Sequence, residues 1–252
     1  MLDFSYNPLL QGNRYSTTLD KGFKLKSKVS LNTAVLSLFT LTVVSYLSFW
    51  FFCNELFENN ATTAISDIKN FSLVSGVLSF SIAFLAYYKP TLSPLLAPLY
   101  SIFSGIFIAG ISFAAEIKFP GIALLTSEIT LATFIIVFVG YKFKIIRVTQ
   151  KFKSVVYSVI GVISLLYLLS FILILFEIKM PLIHDAGIGG IAWALFIMII
   201  AASNLAINID KVQRSNSNDG YTNWRLALGL MVSLIWLYFS TLRLLSRINK
   251  FK

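Results

Sequence analysis

Seven apolar segments follow one another along the chain, and each is long enough to cross a lipid bilayer as a helix. A hydrocarbon core about 30 Å thick needs roughly 20 residues, because an α-helix rises about 1.5 Å per residue. The segments are 31–54, 68–88, 95–116, 120–141, 154–176, 188–208 and 222–246. Only 13% of the 252 residues are charged, well below the share in a soluble domain. The sequence therefore predicts an all-α membrane protein with seven transmembrane helices, and it excludes a soluble globular enzyme.

The polar and basic residues 1–30 precede the first apolar segment and are interpreted as a cytoplasmic arm. A secretory signal peptide would place a short apolar core close to Met1, whereas here the apolar stretch starts near Leu31 and has full membrane length. Residues 31–252 then form the transmembrane domain. Its connections are short, so no separate soluble domain is expected.

Lys and Arg are divided unequally between the two ends of the predicted helices. Fourteen lie on the side of the N-terminus and seven on the other side. Because cytoplasmic loops are enriched in Lys and Arg, the sequence predicts a multi-pass protein of the cell membrane with its N-terminus in the cytoplasm and its C-terminus outside. The basic C-terminal tail fits this orientation poorly, and it would return to the cytoplasm if the last segment did not cross.

Cysteine and histidine are too scarce for most site chemistry. Cys53 is the single cysteine and His184 the single histidine, so neither a disulfide nor a zinc site is expected. The net charge of +10 is interpreted as a topology signal rather than as nucleic-acid binding. We therefore expect no enzyme, no resident cofactor and no nucleic-acid partner. The lipid bilayer is the expected surrounding, and the chain is expected to be a monomer.

Ionisable side chains are rare within the segments, and each is a candidate for an ion path, because its insertion costs about 2.5 to 3.5 kcal/mol. Glu128 lies about 12 Å from the nearer end of the fourth segment, counted from Pro120. An ion-ligand role and a structural role as a hydrogen-bonded neutral acid both remain open for it. Asn208 and Asp210 lie at the cytoplasmic end of the sixth segment, two residues apart and so on different helix faces, and only one can point into the bundle. Asp210 is followed by Lys211, and an ion pair at the membrane surface is its simpler interpretation.

Four polar residues recur on one face of the last segment, at intervals of seven, three and four residues. They are Ser233, Ser240, Arg243 and Arg247. Such a stripe is expected to face protein rather than lipid. Ser233 lies at a depth similar to that of Glu128, and a contact between these two side chains is therefore a hypothesis. Arg243 lies near the outer surface, where its charged end could simply extend to water.

Several short segments, in their order and spacing, resemble the Bax inhibitor/YccA-like family of membrane proteins, and in particular its bacterial branch. They are Ala97–Tyr100, Ser104–Phe107, Phe119–Ile122, Arg147–Phe152, Asn204–Asp210, Trp236–Tyr238 and Leu242–Leu245. Asn7-Pro8-Leu9 is similar to the element that opens many members of that branch. The resemblance extends from Leu95 to the C-terminus.

The resemblance implies a seven-helix bundle whose last helix is central and wrapped by the other six. It also implies a pH-sensitive calcium leak, closed by one acidic side chain on the sixth helix and one on the seventh that share protons. In this chain the two matching positions are Asn208 and Ser233, so neither half of this latch is ionisable. Calcium prefers oxygen ligands. Its passage would then depend on Glu128, Asp210 and carbonyl or hydroxyl oxygens, with Asn208 and Ser233 also on the ion pathway and Glu128 as the group that responds to pH.

Two functions follow from these residues and from the resemblance. The first is a cation-permeable protein that passes Ca²⁺ as a transported ion, with Glu128 as the titrating ligand and Asp210 at the cytoplasmic mouth. The second is a non-conducting membrane protein that binds or modulates a partner, such as a membrane protease in stress or quality control. The cytoplasmic arm is the expected contact with that partner.

Overall fold

Helices make up nearly all of the computed structural model, which describes residues 39–40, 42–54, 61–176, 187–215 and 220–251. Residues 42–54 form helix α1. The six helices that follow are α2 (Ala61–Tyr88), α3 (Ser93–Lys118), α4 (Ile122–Lys142), α5 (Gln150–Leu175), α6 (Ile188–Arg214) and α7 (Gly220–Phe251). The described residues contain no strand. The cytoplasmic arm and His184 lie outside the described residues.

Six helices, α2 to α7, are long and apolar enough to cross a membrane. The first predicted segment, 31–54, lies partly outside the described residues, and its described part is helical. The all-α membrane fold expected from the sequence is confirmed. Several helices run further than predicted, because α2 already starts at Ala61 and α5 at Gln150, and because α6 continues to Arg214 and α7 to Phe251. The charged and polar residues there end an apolar segment, but Lys, Arg and Gln are good helix formers and continue the helix.

Helix α7 lies between two halves of the bundle and contacts α3, α4 and α6. Most of its buried apolar side chains belong to two separate clusters. Leu230 and Leu237 pack with residues of α4, α5 and α6. Met231 and Ile235 pack with residues of α2 and α3. A helix that is buried on several sides has little surface left for lipid, so the central position that the resemblance implies for the last helix agrees with its packing.

The turn between α3 and α4 is held by Glu116. Gly121 has a φ of +86°, in the left-handed region that favours glycine. The Glu116 carboxylate accepts hydrogen bonds from the backbone N–H of Gly121 at 2.5 Å and from that of Ala123 at 2.9 Å. N–H groups at the start of a helix have no partner within the helix. The carboxylate therefore caps α4 and fixes its direction relative to α3.

We expect Glu116→Ala to lower the free energy of unfolding by about 1 kcal/mol, because two N–H groups lose their acceptor and the helix start loses a nearby negative charge. Thermal unfolding in detergent micelles measures this change. Asp67→Ala removes an exposed acid from α2 and serves as the control, with an expected effect below about 0.5 kcal/mol. Equal destabilisation by the two variants would show that Glu116 does not act as a cap.

Candidate functional site around Asp210

The Asp210 carboxylate is the centre of a polar cluster where the ends of α4, α5 and α6 meet. Asp210 has no exposed surface. Its Oδ1 accepts hydrogen bonds from the Tyr141 hydroxyl at 2.8 Å and from Arg214 Nε at 2.6 Å. Its Oδ2 lies 2.7 Å from Lys153 Nζ. We name these four residues the Asp210 cluster.

Each member of the Asp210 cluster comes from the end of a helix. Tyr141 lies in the last turn of α4 and Lys153 in the first turn of α5, on either side of a short connection. Asp210 and Arg214 are four residues apart in α6, a spacing that places two side chains next to each other on a helix surface. One buried carboxylate thus joins three helices at one end of the bundle.

The Asp210 cluster tolerates a buried carboxylate because both of its oxygens have cationic partners. An unpaired carboxylate in this position would lose several kcal/mol of hydration free energy. The Lys153 side chain is 19% exposed and that of Arg214 66% exposed, so both cations keep contact with solvent while the acid does not. Loss of the acid is therefore more disruptive than loss of either base.

The predicted ion pair of Asp210 exists, but Lys211 is not a partner. The Nζ of Lys211 lies 5.3 Å from the centre of the Tyr157 ring on α5. Consecutive residues point about 100° apart on a helix, so the neighbour in sequence faces a different helix surface. Of the two residues that end the sixth segment, Asp210 is the one that is fully buried, and Asn208 is half-buried.

Asn208 of α6 and Ser233 of α7 lie near each other where these two helices are in contact, about one helical turn apart along α7. A methyl group added at Gly229 would lie 3.8 Å from Oδ1 of Asn208, and Ser233 follows Gly229 by one helical turn. The Ser233 hydroxyl is fully buried and donates a hydrogen bond to the carbonyl oxygen of Leu230 at 2.8 Å. At the positions that match the family's latch, this chain has an amide and a hydroxyl rather than two acids.

Glu128 lies on the outer surface of α4. Its side chain is exposed, on the same helix face as the exposed Leu124 and Leu131. The buried residues Thr126 and Thr130 lie two positions away, which is about 200° around the helix. The hypothesis of a contact between Glu128 and Ser233 is therefore wrong, because Ser233 is buried in the interior. The role of Glu128 as an ion ligand stays a prediction.

Three residues of the polar stripe of α7, Ser233, Ser240 and Arg247, are buried, whereas Arg243 is exposed; Ser240, Arg243 and Arg247 lie at the end of the bundle opposite to the Asp210 cluster. Arg243 donates a hydrogen bond to the Tyr167 hydroxyl, and its guanidinium carbon lies 4.9 Å from the centre of that ring. Arg247 is 8% exposed and donates to the carbonyl oxygen of Gly190. Gly190 and the Asp210 cluster lie about 30 Å apart along α6.

One protein family accounts for nearly the whole chain. The family described as Bax inhibitor 1 like matches residues 7–250. The chain belongs to this family. The resemblance recognised in the sequence is thus confirmed for this Bax inhibitor 1-like protein. A comparison with curated proteins and one with solved structures each found no match.

In this Bax inhibitor 1-like protein the sequence marks Asp210 as a candidate but misses its partners. Sequence patterns assign Lys153 and Arg214 to membrane topology and Tyr141 to an interfacial aromatic belt. The four-residue spacing between Asp210 and Arg214 is a local signal that could have identified one partner. Tyr141 precedes Asp210 by 69 residues, and no local pattern reveals a contact over that separation.

Proposed function

We propose that this Bax inhibitor 1-like protein is a pH-sensitive calcium leak whose closure depends on the Asp210 cluster. The observation that carries the proposal is the fully buried Asp210 carboxylate that joins α4, α5 and α6. The family's latch positions hold Asn208 and Ser233, so a pair of acids cannot supply the closure there. The proposed orientation places the Asp210 cluster at the cytoplasmic end, with the N-terminus inside and the C-terminus outside.

Buried hydroxyl groups between the two ends of the bundle support a path for a cation. Thr126 and Thr130 lie on the same face of α4 as Val137, which packs against α6 and α7. Ser233 and Thr241 are fully buried in α7. Each of these hydroxyls donates to a carbonyl oxygen of its own helix, which leaves the hydroxyl oxygen available as an acceptor. Oxygen ligands of this kind suit Ca²⁺.

Protonation of Asp210 is the proposed pH response, and it requires strongly acidic conditions because Lys153, Arg214 and the Tyr141 hydroxyl favour the ionised carboxylate. A neutral carboxyl group no longer attracts the two cations, and the three helix ends lose their common ionic partner. Glu128, which faces outward, then has no part in closure. In this proposal Ca²⁺ is the transported ion, the chain acts as a monomer without a resident cofactor, and no catalytic step takes place.

Calcium flux into liposomes that contain the purified protein tests this proposal, measured from about pH 7 down to about pH 3. We expect a low leak for the unaltered protein down to about pH 4 and a rising leak only below that pH, where an ion-paired Asp carboxyl begins to be protonated. Asp210→Asn should leak roughly tenfold faster at the upper end, a change equivalent to about 1.4 kcal/mol of closure free energy. Its flux should be independent of pH. Tyr141→Phe removes one hydrogen bond and should give a smaller increase.

Glu128→Gln is the matched control, because it also converts a carboxyl to an amide in a membrane-spanning helix. We expect it to keep the flux and the pH profile of the unaltered protein. Loss of the pH response in Glu128→Gln, with a normal response in Asp210→Asn, would contradict the proposal and favour Glu128 as the titrating ligand. Absence of flux at every pH would reject the leak.

The partner-binding function would then be tested by co-purification before and after deletion of residues that precede Val29.

A further inference from the structure

A cavity of about 760 Å³ lies at the end of the bundle opposite to the Asp210 cluster. It is bounded by the ends of α3 and α7 and by parts of α5 and α6. Four cationic side chains line it: Lys118, Arg243, Arg247 and Lys250. Among the residues that the structure describes, no acidic side chain lines it. We name this space the basic cavity.

The nearest acid in sequence does not line the basic cavity. Glu116 lies two residues before Lys118, but both of its carboxylate oxygens accept backbone hydrogen bonds at the start of α4. The ion pairs found within the described ranges involve Asp210 alone as the acid. Four like charges around one space repel one another and favour an anion between them.

Membrane topology does not explain these charges. The division of Lys and Arg along the chain places this end of the bundle outside the cytoplasm, where basic residues are usually few. Arg243 and Arg247 nevertheless occupy consecutive turns of α7 and face the same cavity. Tyr167 orients the guanidinium of Arg243, and the Gly190 carbonyl orients that of Arg247. Guanidinium groups held in this way are suited to bidentate contacts with phosphate.

Apolar residues form the other walls of the basic cavity. Ile197, Trp236 and Phe239 line it together with the cationic side chains. A ligand that carries an anionic group and an apolar part would therefore contact both kinds of wall. We propose that the basic cavity binds a phosphate-bearing anion, with the headgroup of an anionic phospholipid as the source that fits these walls.

Thermal unfolding and native mass spectrometry of the full chain in detergent test this site with three probes. The probes are short-chain phosphatidylglycerol, phosphatidylcholine with the same chains, and inorganic phosphate. We expect phosphatidylglycerol to raise the unfolding temperature by about 5 °C and to remain bound in the mass spectrum, and phosphatidylcholine to do neither. An equal effect of inorganic phosphate would support the same site with a soluble anion as its ligand.

The double variant Lys118→Gln/Arg243→Gln should bind phosphatidylglycerol about tenfold more weakly than the unaltered protein, because two charge-assisted contacts are lost. Lys69→Gln is the matched control, since it removes an exposed cation of α2 that does not line the basic cavity. Should the double variant fold poorly, Lys250→Gln tests the same charge near the end of α7. The proposal is overturned if the unaltered protein responds equally to both lipids, or if the cavity variants bind phosphatidylglycerol as tightly as Lys69→Gln does.

Discussion

Asp210→Asn is expected to lower the free energy of unfolding by about 3 kcal/mol. The substitution keeps the shape of the side chain but removes the negative charge that Lys153 and Arg214 share. Removing one partner of a buried ion pair usually costs about 3 to 5 kcal/mol. The lower end of that range applies here because Arg214 is largely exposed and can regain water. Thermal and denaturant unfolding in detergent micelles measure the change.

A compensating substitution distinguishes charge imbalance from a loss of packing around Asp210. Asp210→Leu combined with Lys153→Met replaces the buried pair by apolar side chains, an exchange that is often close to neutral. We expect this double variant to regain most of the stability that Asp210→Asn loses. Asp67→Asn, at an exposed acid of α2, is the control and should unfold within about 0.5 kcal/mol of the unaltered protein. A full effect of Asp67→Asn, or no effect of Asp210→Asn, would contradict this explanation.

Gly110→Ala is expected to destabilise the packing of α2 on α3 by about 3 kcal/mol. A Cβ atom at position 110 would overlap both the Oγ and the Cβ of Ser72. A clash with Cβ cannot be relieved by a side-chain rotation, so the two helices must move apart. Overpacking of this kind typically costs about 1 to 3 kcal/mol. The buried cluster of Phe52, Ile68 and Phe113 next to this contact would lose packing as well.

Two variants show whether this close approach is the cause. Ser72→Gly combined with Gly110→Ala moves the small residue to the facing helix, and we expect it to restore much of the lost stability. Gly161→Ala is the control in α5, because a methyl group there meets no atom within 4 Å. It should be neutral or stabilising by up to about 1 kcal/mol, since alanine favours a helix over glycine. If Gly110→Ala and Gly161→Ala unfold at the same temperature, close packing at Gly110 is not important for stability.

The turn residues and the spacing of small residues show which features of this protein can be predicted from a few consecutive residues. Pro90 and Pro94 predict an interruption after the second apolar segment, and the structure has a short 3-10 helix at Pro90–Leu92 between α2 and α3. Gly105, Ala109 and Gly110 predict close helix packing, and Gly110 does face Ser72 of α2. These features are predictable because each depends on a few consecutive residues. The choice of α2 as the neighbour depends on the whole bundle.

Glu128 and Asp210 show why the site could not be located from the sequence. Counting residues along a helix gives the depth of a side chain in the membrane. By this count Glu128 lies deeper than Asp210, and the sequence therefore makes it the stronger candidate for a functional acid. The direction of a side chain depends on which face of its helix meets the neighbouring helices. In the structure that direction turns Glu128 outward and buries Asp210 against Tyr141 and Lys153.

Hydropathy and helix length depend on residues that follow one another in the chain, so the membrane-spanning helices and their approximate ends could be predicted from the sequence. The family could be recognised from short segments in their order and spacing. Contacts between helices depend instead on how the helices pack. The Asp210 cluster joins residues of α4, α5 and α6, and the basic cavity joins cations that lie on α3 and α7. The packing of the helices decided that Asp210 pairs with Lys153 and the Tyr141 hydroxyl, because these contacts require a short distance between atoms that lie far apart in the chain.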